Sequence, residues 1–198
     1  MFRRKPAPTP LTDRWLVVGL GNPGRDYERS RHNVGFMCVD ELAGRQRVRV
    51  SERTAKSLVG RTRLDERELI LAKPQTMMNL SGIAVKALRT KYAIALERML
   101  VIHDELDLPF GRIRLKKGGS SAGNHGVDSV IASLGTRDFI RLRVGIGRPS
   151  GSGVDYVLGS FSGYESEQLA AIIAQAADAA LRLVEAGLER AMTDTNKT

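Results

Sequence analysis

Trp15-Leu16-Val17-Val18-Gly19-Leu20-Gly21-Asn22-Pro23-Gly24 is the stretch from which the rest of the chain can be placed. Its first half is a nearly continuous apolar run, the pattern of a strand buried on both faces of a sheet, and the Gly/Asn/Pro cluster behind it forces a turn. That turn leads through Tyr27 to Arg31-His32-Asn33, so Asn22, Tyr27 and His32 are delivered to one sheet edge. Read alone, Gly19-x-Gly21-x-x-Gly24 spells a dinucleotide-binding fingerprint. The fingerprint needs a helix that opens at the glycines and an acid about 20 residues on, at the end of the next strand. Here Pro23 leads into a polar loop, helical spacing begins only near Val34, and Asp40 and Glu41 fall inside that helix. The context therefore disfavours a nicotinamide or flavin enzyme.

Outward from this block, apolar runs and alternation predict strands at Trp15–Leu20, Ser57–Arg61, Glu68–Lys73, Leu100–Asp104, Arg112–Lys116 and Arg141–Ile146. Helical spacing predicts helices over Val34–Arg45, Ser81–Tyr92, Val127–Leu134 and Tyr164–Ala191. The last opens on Ser162-Gly163-Tyr164-Glu165, a capping-box pattern. Strands alternating with helices indicate an α/β fold: a single domain with a twisted, mixed but largely parallel central sheet flanked by helices. We expect residues 14–192 to form that domain. Residues 1–13, with prolines at 6, 8 and 10, read as a flexible extension, and 193–198 as a loose tail.

Composition narrows the class. The chain has 198 residues and is 42% hydrophobic, enough for one ordinary core. Thirty-one Lys and Arg against 22 Asp and Glu give a formal charge of +9, which suits a polyanionic partner and also suits a plainly solubilising surface. The one cysteine, Cys38, sits in an apolar helical run, so no intrachain disulfide forms and a reducing cytoplasm fits. No signal-like segment or membrane-length apolar run is present.

The chemistry-bearing residues cluster at strand ends. His32, one of three histidines, lies in a polar loop outside the apolar periodicity, and an imidazole titrating near neutrality suits a general base. Leu100-Val101-Ile102-His103-Asp104 is an apolar strand ending in a carboxylate, a candidate to fix the imidazole tautomer and stabilise the imidazolium; capping the following turn is its plainer role. Alternation puts His103 on the opposite side from Asp104, as a structural residue. Asn22 and Asn79 carry carboxamides that donate and accept at once, which suits a substrate carbonyl beside its amide; a turn asparagine and a helix N-cap are the competing readings. Arg112, Arg114 and Lys116, and likewise Arg141 and Arg143, alternate with apolar residues, so each strand is expected to present one basic face. Such faces track a phosphate backbone or merely protect an edge from aggregation. No H-x-x-x-H or paired-cysteine spacing supports a metal site.

The combination resembles bacterial peptidyl-tRNA hydrolases. Beyond Gly19 to Gly24, Tyr27 and Arg31-His32-Asn33-Val34-Gly35, the likeness continues in Lys73-Pro74-Gln75-Thr76-Met77-Met78-Asn79-Leu80-Ser81-Gly82, in His103-Asp104-Glu105-Leu106-Asp107-Leu108-Pro109, in Gly118-Gly119 and in Arg141 to Pro149. It implies a cofactor-free, metal-free, monomeric cytoplasmic esterase that cleaves the ester between peptide and tRNA. The resemblance implies His32 as base with Asp104 and Asn22 as catalytic partners. It further implies Tyr27, Met77 and Asn79 as substrate contacts, and Lys116 and Arg143 as tRNA contacts. One departure stands out: the family usually reads Gly-His-Asn-Gly where this chain reads Gly123-Asn124-His125-Gly126. Either Asn124 or His125 is therefore the expected substrate contact there. A protein that keeps the fold and binds RNA without turnover is the alternative function.

Overall fold

The computed structural model describes residues 13–149 and 151–197. Seven strands form one mixed sheet in the order β2-β3-β4-β1-β5-β7-β6: β1 Arg14–Gly19, β2 Glu52–Thr54, β3 Ser57–Leu64, β4 Arg67–Pro74, β5 Met99–Glu105, β6 Ile113–Lys117 and β7 Ile140–Gly145. The four central strands β4, β1, β5 and β7 run parallel, whereas β2, β3 and β6 are antiparallel additions at the two edges. β1 is sealed between two parallel neighbours, with Val17 opposite both Leu71 and Leu100. Its side chains alternate accordingly. Trp15 and Val17 enter the core on one face, and Leu16, Val18 and Leu20 enter the core on the other.

Helices cover both faces. α1 Val34–Arg45, α5 Gly163–Ala186 and α6 Leu188–Asn196 pack on the first, and α2 Ser81–Tyr92 and α3 His125–Leu134 on the second. α1 follows β1 on one face; α2 carries the chain from β4 back across to β5 on the opposite face. Strand addition thus reverses direction between β1 and β5, and such a switch point leaves a crevice beyond the carboxyl ends of the strands.

Most expected elements are present, with four differences that have local causes. β2 is a three-residue, mostly exposed edge strand without apolar alternation. α4, Gly153–Leu158, is a short exposed helix started by a Ser152 cap. The long terminal helix is two helices, because Gly187 takes φ 80°, a left-handed value that ends α5 before α6 begins. The tail expected from residue 193 is helical as far as Asn196, whose carboxamide pairs with the Leu115 backbone at 2.9 Å in both directions, extending the cover of β6. The proposed flexible extension lies outside the described residues except for Asp13, which accepts from the Glu68 backbone at 2.9 Å and pairs with Arg67 and Arg98.

Gly19 in the opening block and Gly35 in α1 serve close packing. A Cβ on Gly19 would lie 2.0 Å from the Gly35 carbonyl oxygen; one on Gly35 would lie 2.5 Å from backbone atoms of Leu20 and Ile102. α1 therefore rests directly on the backbone of β1 and β5. That contact fixes where the turn before the helix sits. Gly35→Ala should lower stability by about 1–3 kcal/mol, the usual cost of overpacking, and should displace the preceding turn, which carries His32. Urea unfolding checks the first effect, and the NMR shifts of the His32 ring check the second.

Candidate active site

The described residues bring His32, Asp104, Asn124 and His125 together around a cavity of about 210 Å³ beyond the ends of β1 and β5. Leu106, Ala122, Val154 and Val157 give it an apolar side. His32 lies in the helical turn Arg31–Asn33 that precedes α1, and Asp104 is the penultimate residue of β5. His32 Nδ1 and Asp104 Oδ1 are 2.9 Å apart. The carboxylate is 2% exposed and the histidine 7%, so the contact is shielded from water competition. With Asp104 ionised and accepting, the imidazole proton sits on Nδ1 and Nε2 is the basic nitrogen. Nε2 has no partner among the described residues.

Asn22 stands on the other side of the same turn. Its backbone N–H donates to Asn33 Oδ1 at 2.8 Å, and Asn33 Nδ2 donates back to its carbonyl at 2.9 Å. Its own Oδ1 accepts the Met78 N–H at 2.6 Å. These contacts fix the carboxamide orientation and leave its NH₂ as the available donor. Asn22 lines a separate hollow of about 340 Å³ with Phe36, Lys73 and Gln75, next to but distinct from the His32 cavity. Asn79 is exposed in the turn before α2; Leu80 occupies the N-cap, so Asn79 is not a capping residue. Met77 is also exposed and Tyr27 is half-buried, and neither lines either hollow.

Asn33 was not anticipated as a positioning residue, although it lay inside the quoted motif. Nor was the strap formed by Arg31. Its guanidinium lies 4.1 Å from the Tyr156 ring centroid and pairs with Glu165 at 2.7 Å, while its backbone N–H donates to Gly159 at 3.0 Å. Glu165 simultaneously accepts the Ser162 N–H at 2.7 Å, so the predicted capping box doubles as an anchor for the histidine turn. Tyr156 in turn donates to the Ile146 carbonyl at 2.5 Å. The α4 wall that contributes Val154 and Val157 is thereby tied to the turn carrying His32.

The basic faces are only partly as expected. Arg141 is buried: it donates to the Ser120 carbonyl at 2.7 Å and to the Gly118 carbonyl, holding the glycine loop. Burial, then the neighbouring Arg143 charge, lowers its pKa. Arg143 donates to the buried Glu105 at 2.9 Å, with its side chain 19% exposed. Lys116 is exposed, paired in register with Arg141. Gly119 permits this packing, since a Cβ there would meet Lys116 Nζ at 2.6 Å. His103 is fully buried and its Nδ1 lies 2.7 Å from the Asp104 carbonyl; burial lowers its pKa, which suits the structural role expected of it. Burial pushes the Cys38 thiol up to about 12, an unreactive state at neutral pH. Among the described residues, no group of three or more His, Cys, Asp or Glu is placed to hold a metal ion, and no helix is long and apolar enough to cross a membrane.

An imidazole oriented by a buried carboxylate, with its far nitrogen free beside a cavity, is the arrangement of enzymes that activate a hydroxyl or water by general-base catalysis. The chain belongs to the peptidyl-tRNA hydrolase family, whose model matches residues 16–198. It is 44% identical over 186 residues to the peptidyl-tRNA hydrolase of Dehalococcoides mccartyi, covering 91% of this chain and 98% of that protein. It is 49% identical over 177 residues to that of Frankia alni, covering 88% and 90%. The crystal structure of the Acinetobacter baumannii peptidyl-tRNA hydrolase matches with a TM-score of 0.87 at 35% identity, covering 92% of this chain and 94% of that one.

Burial raises the Glu165 carboxyl, but the Ser162 N–H and the Arg31 guanidinium outweigh it and leave its pKa below the ordinary value. The stability from this pairing is therefore complete above the unfolded carboxylate value of about 4.3 and is lost as pH falls through the lower folded value. Glu165→Gln should lower Tm at pH 7 by about 2–4 °C, the shift for ~1 kcal/mol in a chain of this size. It should also leave a shallower fall of Tm toward acid than wild type, measured by thermal melts across the carboxylate range.

Proposed function

We propose that this chain hydrolyses the ester joining a peptide to the terminal ribose of tRNA, releasing a free peptide and a reusable tRNA. The observation that carries the reading is the 2.9 Å contact between His32 Nδ1 and Asp104 Oδ1 at the sheet switch point of a family member. His32 Nε2 takes a proton from water as the oxygen attacks the ester carbonyl. Asp104 stabilises the imidazolium, and collapse of the tetrahedral intermediate expels the ribose oxygen, which recovers the proton from His32. The free Asn22 NH₂ and the exposed Asn79 carboxamide orient the peptidyl end, with Tyr27 and the Met77 backbone beside them. Donors held against the developing oxyanion need no reorganisation when charge appears. His125, exposed on the cavity wall, supplies the substrate contact at the exchanged Asn-His pair.

Lys116 is the principal phosphate contact, since it is exposed, while Arg143 contributes a charge already shared with Glu105. The +9 formal charge supports a polyanionic substrate. On this reading the protein acts as a cytoplasmic monomer and requires neither cofactor nor metal. An RNA-binding protein without turnover would not need the buried histidine–carboxylate pair.

His32→Ala should reduce turnover of N-acetyl-aminoacyl-tRNA by about 10²–10⁴, the range for a positioned general base, while free aminoacyl-tRNA is left uncleaved by wild type. Tight tRNA binding with no ester cleavage by the folded wild type would establish the non-catalytic alternative. Lys116→Ala should raise KM rather than lower kcat and should reduce the salt slope of tRNA binding by about 0.7–0.9, one counterion released per phosphate contact. Binding titrations across a salt series read that slope.

A further inference from the structure

We infer that Asn124 is a positioning residue of the hydrolytic centre, the third member of a His32–Asp104–Asn124 chain, and does not touch substrate. The inference deepens the proposed general-base reading and rests on it. A carboxamide offers two N–H donors and two acceptor lone pairs. All four are engaged here. Nδ2 donates to Asp104 Oδ1 at 3.0 Å and to the Asp104 carbonyl oxygen at 3.2 Å. Oδ1 accepts the Gly126 N–H at 3.0 Å and the Val127 N–H at 3.1 Å, the cap of α3. Nothing on the side chain remains to hold a peptide carbonyl or a water. The amide orientation is fixed by its surroundings, because only oxygen can accept from two backbone N–H groups and only NH₂ can donate to a carboxylate.

The consequence lies at Asp104. The same Oδ1 that accepts from His32 also accepts from Asn124, so rotation of the carboxylate away from the imidazole would break two bonds at once. Through Asn124 the carboxylate is tied to the N-terminus of α3. Asn124 itself is held by its backbone: its N–H donates to Ser121 at 3.1 Å and its carbonyl accepts from Asp128 at 3.0 Å. The loop that lines the cavity with Ala122 and Gly123 and the helix that follows it are thus coupled to the orientation of the base. The exchange of Asn and His along the motif acquires a physical meaning here. The cap position favours a short side chain with an acceptor oxygen, which asparagine supplies well, and the next residue, His125, is left to face the cavity.

Asn124→Ser separates the two roles, since serine keeps a cap acceptor and loses both donors to Asp104. We expect α3 to persist, with Tm near wild type and helical circular dichroism unchanged, while kcat falls about 10- to 100-fold through misplacement of the base and KM stays constant. Asn124→Asp, which keeps both shape and cap, should lose at least as much kcat and guards against a serine variant that fails to fold. In an Asp104→Asn background, Asn124→Ser should cost nothing further. A rise in KM with kcat intact, or losses that multiply in the double variant, would overturn the inference. Full activity in Asp104→Asn alone would instead remove the general-base reading beneath it.

Discussion

The direct backbone contact between α1 and the β1–β5 pair is the constraint on which the site depends. Gly19 and Gly35 lie so close to backbone that a Cβ on either would force a shift, and the Leu20 N–H continues the sheet by donating to the Ile102 carbonyl at 2.9 Å. With α1 pressed onto those strands, the turn ahead of it has one place to go, over the carboxyl end of β5. That is where Asp104 waits. The first glycine of the apparent dinucleotide motif, Gly19, is therefore explained by helix–strand approach, and the last, Gly24, by a turn at φ 108°.

Around this contact the charges are arranged so that buried ones are answered locally. Glu105 faces Arg143, Glu165 faces Arg31, and the Arg141 guanidinium faces two loop carbonyls. A buried charge without such a partner would be destabilising by several kcal/mol. Two cationic groups that the alternation placed on a phosphate-facing surface are accordingly engaged inside the protein. Lys116 remains exposed, and the RNA-facing charge of this region is narrower than the count of basic residues suggests.

Much of the fold was legible because its signals are local. The apolar run of β1, the helical spacing of α1 and the Ser162/Glu165 capping box each satisfy their rule within a few residues. β2 and α4 were not legible: one is a three-residue exposed strand and the other a short helix with no buried residue, so neither carries a periodic pattern. In the site, His32 and Asp104 were recognisable from residue type and position, strengthened by family likeness. The saturation of Asn124 was not, since its partners at Asp104 and at the α3 N-terminus come together only in three dimensions. The same holds for Arg31, whose partner Glu165 is 134 residues away.

The central claim is that the Asp104 contact holds the His32 proton on Nδ1 and leaves Nε2 free to accept one from water. Nitrogen-15 NMR of the histidine side chains, with His32 assigned by comparison to His32→Ala, reads this directly. The account predicts a neutral imidazole protonated at Nδ1 with a bare Nε2 signal at the alkaline end of the titration, and loss of that tautomer preference in Asp104→Asn. A proton resident on Nε2 in the wild-type protein would contradict it.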